Sequence, residues 1–320
     1  MSTLRSLPFA LLIALFTASA TAEPAKVGFI YIGNGENNLW TRQHELAREA
    51  LQAELGSAVT VVTVPNTAEG LDGERAARKL SKSGAKMIYA VGLGYMDGIL
   101  RVAADFPLTC YATATAYISA ANVGAYTARW HEAGYLAGIV AGGTTKSHVI
   151  GFVAAHPTPE TVWYVRAFTQ GALSVDPVAQ VRTIYVNAWS NSRAETDAAN
   201  ALMRDGADVL AHYTGTPATV AAAENQGVAS ISFHSDLRWY APNNYLTGVL
   251  HNWGAYYTRT TRDALADKCN RELFVGGLAD GTLTLAPYGP RVSPSTVDAV
   301  AKARQEIVTG RLRIDTRVRP

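Results

Sequence analysis

The chain has 320 residues, of which 48% are hydrophobic and only 17% are charged. This composition excludes an intrinsically disordered protein, which needs low hydrophobicity and high charge. The 28 basic and 26 acidic residues nearly cancel, which argues against a nucleic-acid-binding surface. Two cysteines are too few for a disulfide-dense scaffold or a four-thiolate metal site.

The first 22 residues have the features of a secretory signal peptide. Arg5 supplies a positive charge, an apolar run follows at residues 7–18, and A-T-A at residues 20–22 matches a cleavage pattern. The run is shorter than the roughly 20 residues of a membrane span. No cysteine stands at the cleavage point, so the usual lipoprotein anchor is not expected. We therefore expect a periplasmic protein whose mature chain begins at residue 23.

The mature chain alternates strand and helix patterns. β-Branched and apolar runs predict strands at residues 27–32, 59–64 and 87–91. Apolar residues at helical spacing predict helices at Leu39–Leu55 and at residues 73–83. Apolar strands separated by amphipathic helices are typical of a parallel sheet covered on both faces.

The same order of elements recurs 122 residues further along the chain. Val27 in the first strand matches Val149, and Gly84 after the second helix matches Gly206. A constant offset over several elements favours an internal duplication over a coincidence of rhythm. The sequence therefore predicts an α/β protein of two similar lobes with a cleft between them.

The loops at the predicted carboxyl ends of the strands are rich in aromatic, amide and carboxylate groups. Ligands of open parallel sheets bind at this edge, and such groups suit a flat heterocycle with polar edges. Trp130 and Trp163 lie further into predicted helices, and we assign them to packing. The candidate ligand-binding residues in or next to these loops are Asn38, Trp40, Glu160, Trp189, Asp236 and Trp253.

Five segments carry a resemblance to a known family: LWTRQHELAREAL (39–51), YTARWHEAGYLAGIVAG (126–142), AHPTPE (155–160), TGVLHNWGAYYT (247–258) and GLADGTLTLAPYGP (277–290). They resemble the BMP (basic membrane protein, PnrA-like) family of ABC-importer substrate-binding proteins, and the resemblance covers nearly the whole mature chain. It implies the type I periplasmic-binding-protein fold, in which the chain crosses three times between two Rossmann-like lobes. It also implies binding of purine nucleosides or, in the branch that this chain most resembles, of purine bases such as adenine.

The resemblance also implies roles for single residues. Trp40 stands where relatives have an aromatic residue that stacks on the base, and Trp189 matches a second aromatic on the opposite face. Asp236 resembles an acidic residue that contacts the sugar in nucleoside binders. His251 replaces a lysine that contacts the nucleoside, which is compatible with a smaller, uncharged ligand. With Asn38 and Tyr95, we expect His251 to complete the polar edge of the site.

This interpretation divides the chain into a signal peptide (1–22), an N-terminal lobe (23–122 plus 253–290) and a C-terminal lobe (123–252 plus 291–320). The lobes are expected to close on a purine and deliver it to the permease subunits of an ABC importer. We expect a monomer, no cofactor and no nucleic-acid partner.

The two cysteines, Cys110 and Cys269, are candidates for a disulfide. An oxidising compartment permits the bond, and the fold implied by the resemblance returns the helix before Cys269 to the lobe of Cys110. Two buried thiols fit the sequence as well, so the pairing stays open at this point.

Two other functions remain open. A secreted purine-nucleoside hydrolase could use Asp236 or Glu160 as acid or base, although no G-x-S-x-G, H-E-x-x-H or Walker sequence is present. A zinc-binding protein could use histidines at strand ends of the second lobe, although their spacing matches no metal motif. Those histidines are His156, His212, His234 and His251.

Overall fold

The computed structural model describes residues 23–316, so the predicted signal peptide lies outside the described residues. Within them the chain forms an α/β protein of two lobes, and no helix there is both long and apolar enough to cross a membrane. The strands are β1 (Ala25–Tyr31), β2 (Val59–Val64), β3 (Ala85–Val91), β4 (Cys110–Ala114), β5 (Val123–Ala128), β6 (Val149–Ala154), β7 (Gln180–Tyr185), β8 (Val209–Tyr213), β9 (Ala229–His234), β10 (Tyr245–His251), β11 (Leu273–Gly276) and β12 (Leu283–Leu285). The helices are α1 (Leu39–Leu55), α2 (Leu71–Lys82), α3 (Met96–Asp105), α4 (Trp130–Gly142), α5 (Pro159–Leu173), α6 (Ser192–Arg204), α7 (Ala218–Asn225), α8 (Gly254–Leu265) and α9 (Pro294–Val308).

Each lobe is built on one six-stranded sheet. The first has the order β11-β5-β4-β3-β1-β2, and all of its pairs are parallel. The second has the order β12-β10-β9-β8-β6-β7, in which only β12 is antiparallel to its neighbour. Equivalent strands occupy equivalent places, as the repeat of 122 residues predicts.

The 122-residue repeat is also visible in the backbone conformation of matching glycines. Gly84 follows α2 with φ of 83°, and Gly206 follows α6 with φ of 93°. A side chain at either place would be strained, because L-residues rarely adopt positive φ. The matching glycines therefore end matching helices so that the chain can turn into β3 and β8.

The boundaries between the lobes differ from the prediction. Strand β5 pairs with β4 and β11 in the first sheet, so the chain crosses after residue 128 and not at residue 122. Strand β12 pairs with β10 in the second sheet, so the third crossing lies within residues 277–282. Strands β11 and β12 form corresponding edges of the two sheets, so β5 and β10 are each paired on both sides and expose fewer unpaired backbone groups.

A disulfide joins Cys110, at the start of β4, to Cys269, which follows α8. The two Cα atoms lie 5.1 Å apart, within the usual range for this bond. The bond attaches the returning segment of α8 and β11 to the first sheet. Cross-linking residues so distant in sequence typically stabilises a fold by about 2–4 kcal/mol.

Candidate functional site

The start of helix α1 brings the two lobes into contact. Asn38 caps the helix by accepting the Thr41 N–H (2.9 Å), and its Nδ2 donates to Ser190 Oγ in the second lobe (3.2 Å). The Leu39 N–H donates to the Gly215 carbonyl (2.9 Å), and the Gly215 N–H donates to the Trp189 carbonyl (2.7 Å). The two lobes therefore touch at the strand ends where a ligand was expected.

Behind this contact lies a group of five side chains, Trp40, Trp130, His234, His251 and Trp253, which we call the ring cluster. Helix α1 supplies Trp40, α4 begins with Trp130, and β9 and β10 end in His234 and His251. Ring centroids lie 5.1 Å apart for Trp40 and His251, 5.4 Å for Trp40 and His234, and 5.2 Å for Trp130 and His251. Both lobes thus contribute rings to one packed cluster.

A directed chain of hydrogen bonds runs through the cluster. Trp253 Nε1 donates to His251 Nδ1 (2.7 Å), and an indole nitrogen can only donate. The proton of neutral His251 is therefore on Nε2, which donates to His234 Nδ1 (3.1 Å). His234 then carries its proton on Nε2, and the residues that the structure describes offer that N–H no acceptor. This series of hydrogen bonds therefore leaves the Nε2–H of His234 free to donate to a bound molecule or to water.

The histidines of the cluster are neutral at pH 7. Burial lowers the pKa of His251 to about 3. Burial, and then the neighbouring His251, lower the pKa of His234 well below its ordinary value. Neutral donors of this kind suit an uncharged polar ligand better than an anion.

A cavity of about 250 Å³ adjoins Trp130 near the first crossing between the lobes, and we call it the hinge-side cavity. Thr158 caps α5 and so places Glu160 in its first turn, at the cavity wall. Within residues 23–316, Trp130 Nε1 and Glu160 Oε1 are buried without a hydrogen-bond partner. Burial raises the pKa of Glu160 to about 7. The lining residues are Thr127, Ala128, Arg129, Trp130, His131, Glu160, Trp163 and Val275.

The structure brings together some of the predicted site residues. Trp40, His251 and Trp253 meet in the ring cluster, Glu160 lines the hinge-side cavity, and Asn38 spans the lobes. His251 differs in role from the prediction, because both of its ring nitrogens are already hydrogen-bonded. It orients His234 and has no nitrogen left for a ligand.

The other three predicted residues lie apart from the cluster. Tyr95 is buried in the core of the first lobe and donates to the Thr67 carbonyl (2.6 Å), so its hydroxyl is already used. Asp236 pairs with Arg238 at 2.6 Å in the loop after β9. The Trp189 ring is 52% exposed, and its edge contacts His156.

Sequence reasoning missed three residues of the site. Trp130 and Trp163 were assigned to packing, yet both line the hinge-side cavity. His234 was considered only as a zinc ligand, yet it ends the hydrogen-bond chain. One signal was available for Trp130, since it stands where the chain leaves β5 to cross between lobes.

The histidines considered for zinc do not form a metal site. His212 Nε2 accepts the Phe233 N–H (3.2 Å), and its Nδ1 bonds Thr214 Oγ1 (3.0 Å). His212 and His251 therefore have no free nitrogen. Across residues 23–316, no three His, Cys, Asp or Glu side chains are grouped so that they could hold a metal ion.

Comparisons with known proteins agree with the fold and indicate the class of ABC transporter substrate-binding proteins. A family model described as ABC transporter substrate-binding protein PnrA-like matches residues 25–317. A purine-binding protein of Brucella abortus is 35% identical over 271 residues, which are 85% of this chain and 77% of that protein. A putative ABC transporter glucose-binding protein of Haloferax volcanii is 32% identical over 91% of this chain and 74% of its own length.

A solved ABC transporter solute-binding protein from Conexibacter woesei superposes with a TM-score of 0.78. It is 21% identical and the match covers 91% of this chain and 99% of that one. This likeness confirms the expected type I periplasmic-binding-protein fold.

Proposed function

This chain belongs to the PnrA-like family of ABC transporter substrate-binding proteins, and we propose that it captures a purine base such as adenine, or a purine nucleoside, between its lobes. It acts as a monomer outside the cytoplasm and delivers the ligand to the permease subunits of an ABC importer. The observation that carries the proposal is the convergence of aromatic rings and neutral imidazoles from both lobes at the carboxyl ends of the strands.

The stacking part of the proposal rests on Trp40 and Trp189. Trp40 is held in place because its Nε1 donates to the Val91 carbonyl (3.2 Å). Trp189 is joined through Gly215 to the residue before Trp40, and its half-exposed ring is available to a ligand. Stacking a base on an aromatic ring contributes about 1–3 kcal/mol.

The proposal that the ligand is a neutral heterocycle rests on the hydrogen-bond donor of His234 and on the charge of the carboxylates at the site. The donor on His234 Nε2 matches a ring nitrogen or carbonyl of a purine. Of the two carboxylates predicted for the site, Asp236 is paired with Arg238, so its charge is compensated, and burial raises the pKa of Glu160 to about 7. A small neutral heterocycle therefore fits the site, in line with the name of the Brucella relative.

Ligand titration of the mature protein tests the proposal. Calorimetry with adenine, hypoxanthine, guanine, adenosine and glucose should give binding to at least one purine. Trp40→Ala should weaken that binding roughly tenfold or more, because a stacking face is lost. Trp239→Ala is the matched control, since this tryptophan is 70% exposed and outside the ring cluster. Binding of glucose alone, or an unchanged affinity in Trp40→Ala, would contradict the proposal.

The same samples separate binding from turnover. Family members are substrate-binding proteins, and we expect adenosine to be recovered intact after incubation with the protein. Release of free adenine, lost in Glu160→Gln, would favour the hydrolase instead.

A further inference from the structure

Two residues that line the hinge-side cavity each carry a buried polar atom without a hydrogen-bond partner among residues 23–316. Trp130 is 2% exposed, and its Nε1–H can only donate. Glu160 Oε1 can accept, and it too is shielded from water. Burying such groups unpaired is costly, and native proteins avoid it unless a water or a ligand completes the bonds.

Both lobes build the walls of this cavity. Thr127 and Ala128 come from the end of β5, and Val275 comes from β11, all in the first sheet. Glu160 and Trp163 come from α5, which follows the first strand of the second lobe. A molecule held here contacts both lobes, so its binding is coupled to the closed arrangement.

We propose that the hinge-side cavity is a specificity subsite, in which Trp130 Nε1–H donates to a ring nitrogen of the ligand and Glu160 accepts a neighbouring N–H. The inference rests on the proposed function and extends it, because it names two residues besides His234 that contact a polar edge of the heterocycle. The complementary edge carries one acceptor beside one donor. Adenine has such an edge at a ring nitrogen next to its amino group.

Hydrogen bonding by the buried polar groups of Trp130 and Glu160 would make the site selective for its ligand. A heterocycle that lacks the acceptor or the N–H leaves Trp130 or Glu160 unpaired in the closed cleft, which costs more than the loss of a solvent-exposed bond. The subsite therefore lowers the affinity for a mismatched heterocycle more than it raises the affinity for the matching one.

Two conservative variants test the subsite. Trp130→Phe keeps an aromatic ring and removes the N–H, and Glu160→Gln keeps the shape and removes the charged acceptor. At pH 8, calorimetry should show each variant binding adenine about tenfold more weakly than the wild type. Because the variants lie on different helices, a folding defect in one leaves the other informative.

Unfolding of the ligand-free protein separates binding from structure. Removing an unpaired buried donor should leave the melting temperature of Trp130→Phe unchanged or raised, whereas a packing role alone would lower it without weakening adenine binding. Trp239→Phe and Glu54→Gln, both at exposed positions, control for the same chemical changes and should bind as the wild type does.

The outcomes separate this inference from the proposed function. If the wild type binds a purine and both variants bind it within twofold of the wild type, the subsite is overturned and the proposed function stands. If the wild type binds no purine, the proposed function fails and the subsite fails with it. Weaker binding in both variants, with stable ligand-free proteins, supports the subsite.

Discussion

The ring cluster and the hinge-side cavity share Trp130 but differ in how many of their polar atoms have hydrogen-bond partners. In the cluster, the N–H groups of Trp40, His251 and Trp253 all have acceptors. In the cavity, Trp130 Nε1 and Glu160 Oε1 have no partner among the residues that the structure describes. Folding therefore pairs the ring N–H groups of Trp40, His251 and Trp253 and leaves the His234 N–H open, whereas neither of the two polar atoms named for the cavity has a partner.

The largest loss of stability is expected from a substitution in the ring cluster. Trp253→Ala removes a fully buried indole and leaves His251 Nδ1 without its donor. We expect a loss of about 3–5 kcal/mol in the free energy of unfolding, as for other buried aromatic residues. Urea unfolding measures it, with Trp239→Ala as the exposed control. A loss below about 1 kcal/mol would mean that the cluster is not a packed core.

The second effect is acid sensitivity arising from buried histidines. Burial lowers the pKa of His251 to about 3 and that of His212 to about 4. The unfolded chain takes up protons near pH 6.5 while the folded chain does not, so stability falls as the pH drops below that value. Each such histidine contributes about 1.4 kcal/mol per pH unit.

Unfolding midpoints between pH 7 and pH 5 check this prediction. His251→Gln should show a shallower loss of stability over that range than the wild type. A wild-type profile that stays flat below pH 6.5 would contradict neutral, buried histidines in the folded state.

The cavity side is expected to give a weaker dependence on pH, because a single carboxyl titrates there in place of several histidines, and its sign is opposite. Burial raises the pKa of Glu160 from 4.5 to about 7, so the folded chain holds this proton more tightly than the unfolded chain. Stability therefore falls as the pH rises from 4.5 to about 7 and changes no further above it. The slope is at most about 1.4 kcal/mol per pH unit.

Glu160→Gln isolates this contribution. The difference in unfolding free energy between the variant and the wild type should grow in favour of the variant from pH 4.5 to 7 and then level off. A difference that does not change with pH would show that the carboxyl is hydrated and would weaken the comparison between cluster and cavity.

Much of the architecture followed from local sequence. The pattern for α1 predicted Leu39–Leu55, and the pattern for β2 predicted Val59–Val64, both as observed. Helix α9 likewise begins with a local signal, because the Ser293 side chain accepts the Thr296 N–H (3.2 Å) and Pro294 follows it at the first helical position. Such features depend on residues within a few positions of one another, so the sequence alone carries them.

The site was less accessible to sequence reasoning. Tyr95 stands in a strand-end loop like the other candidate site residues, but its ring turns into the core because Gly73 of α2 leaves room for it. Trp130 has the spacing of a packing residue on a helix, and its unpaired nitrogen and its place in the cavity wall became known only from the structure. Direction of a side chain depends on neighbours that are distant in the sequence.

The sequence by itself determined the alternation of strands and helices, the duplication of the lobe, and the aromatic character of the strand ends. Only the tertiary structure decided which sheet takes β5 and β12, that Cys110 bonds Cys269, and that both ring nitrogens of His251 are hydrogen-bonded, to His234 and Trp253. The physical reason is that edge pairing, cross-linking and hydrogen-bond direction are set between segments far apart in the chain. Their energies appear only when those segments pack together.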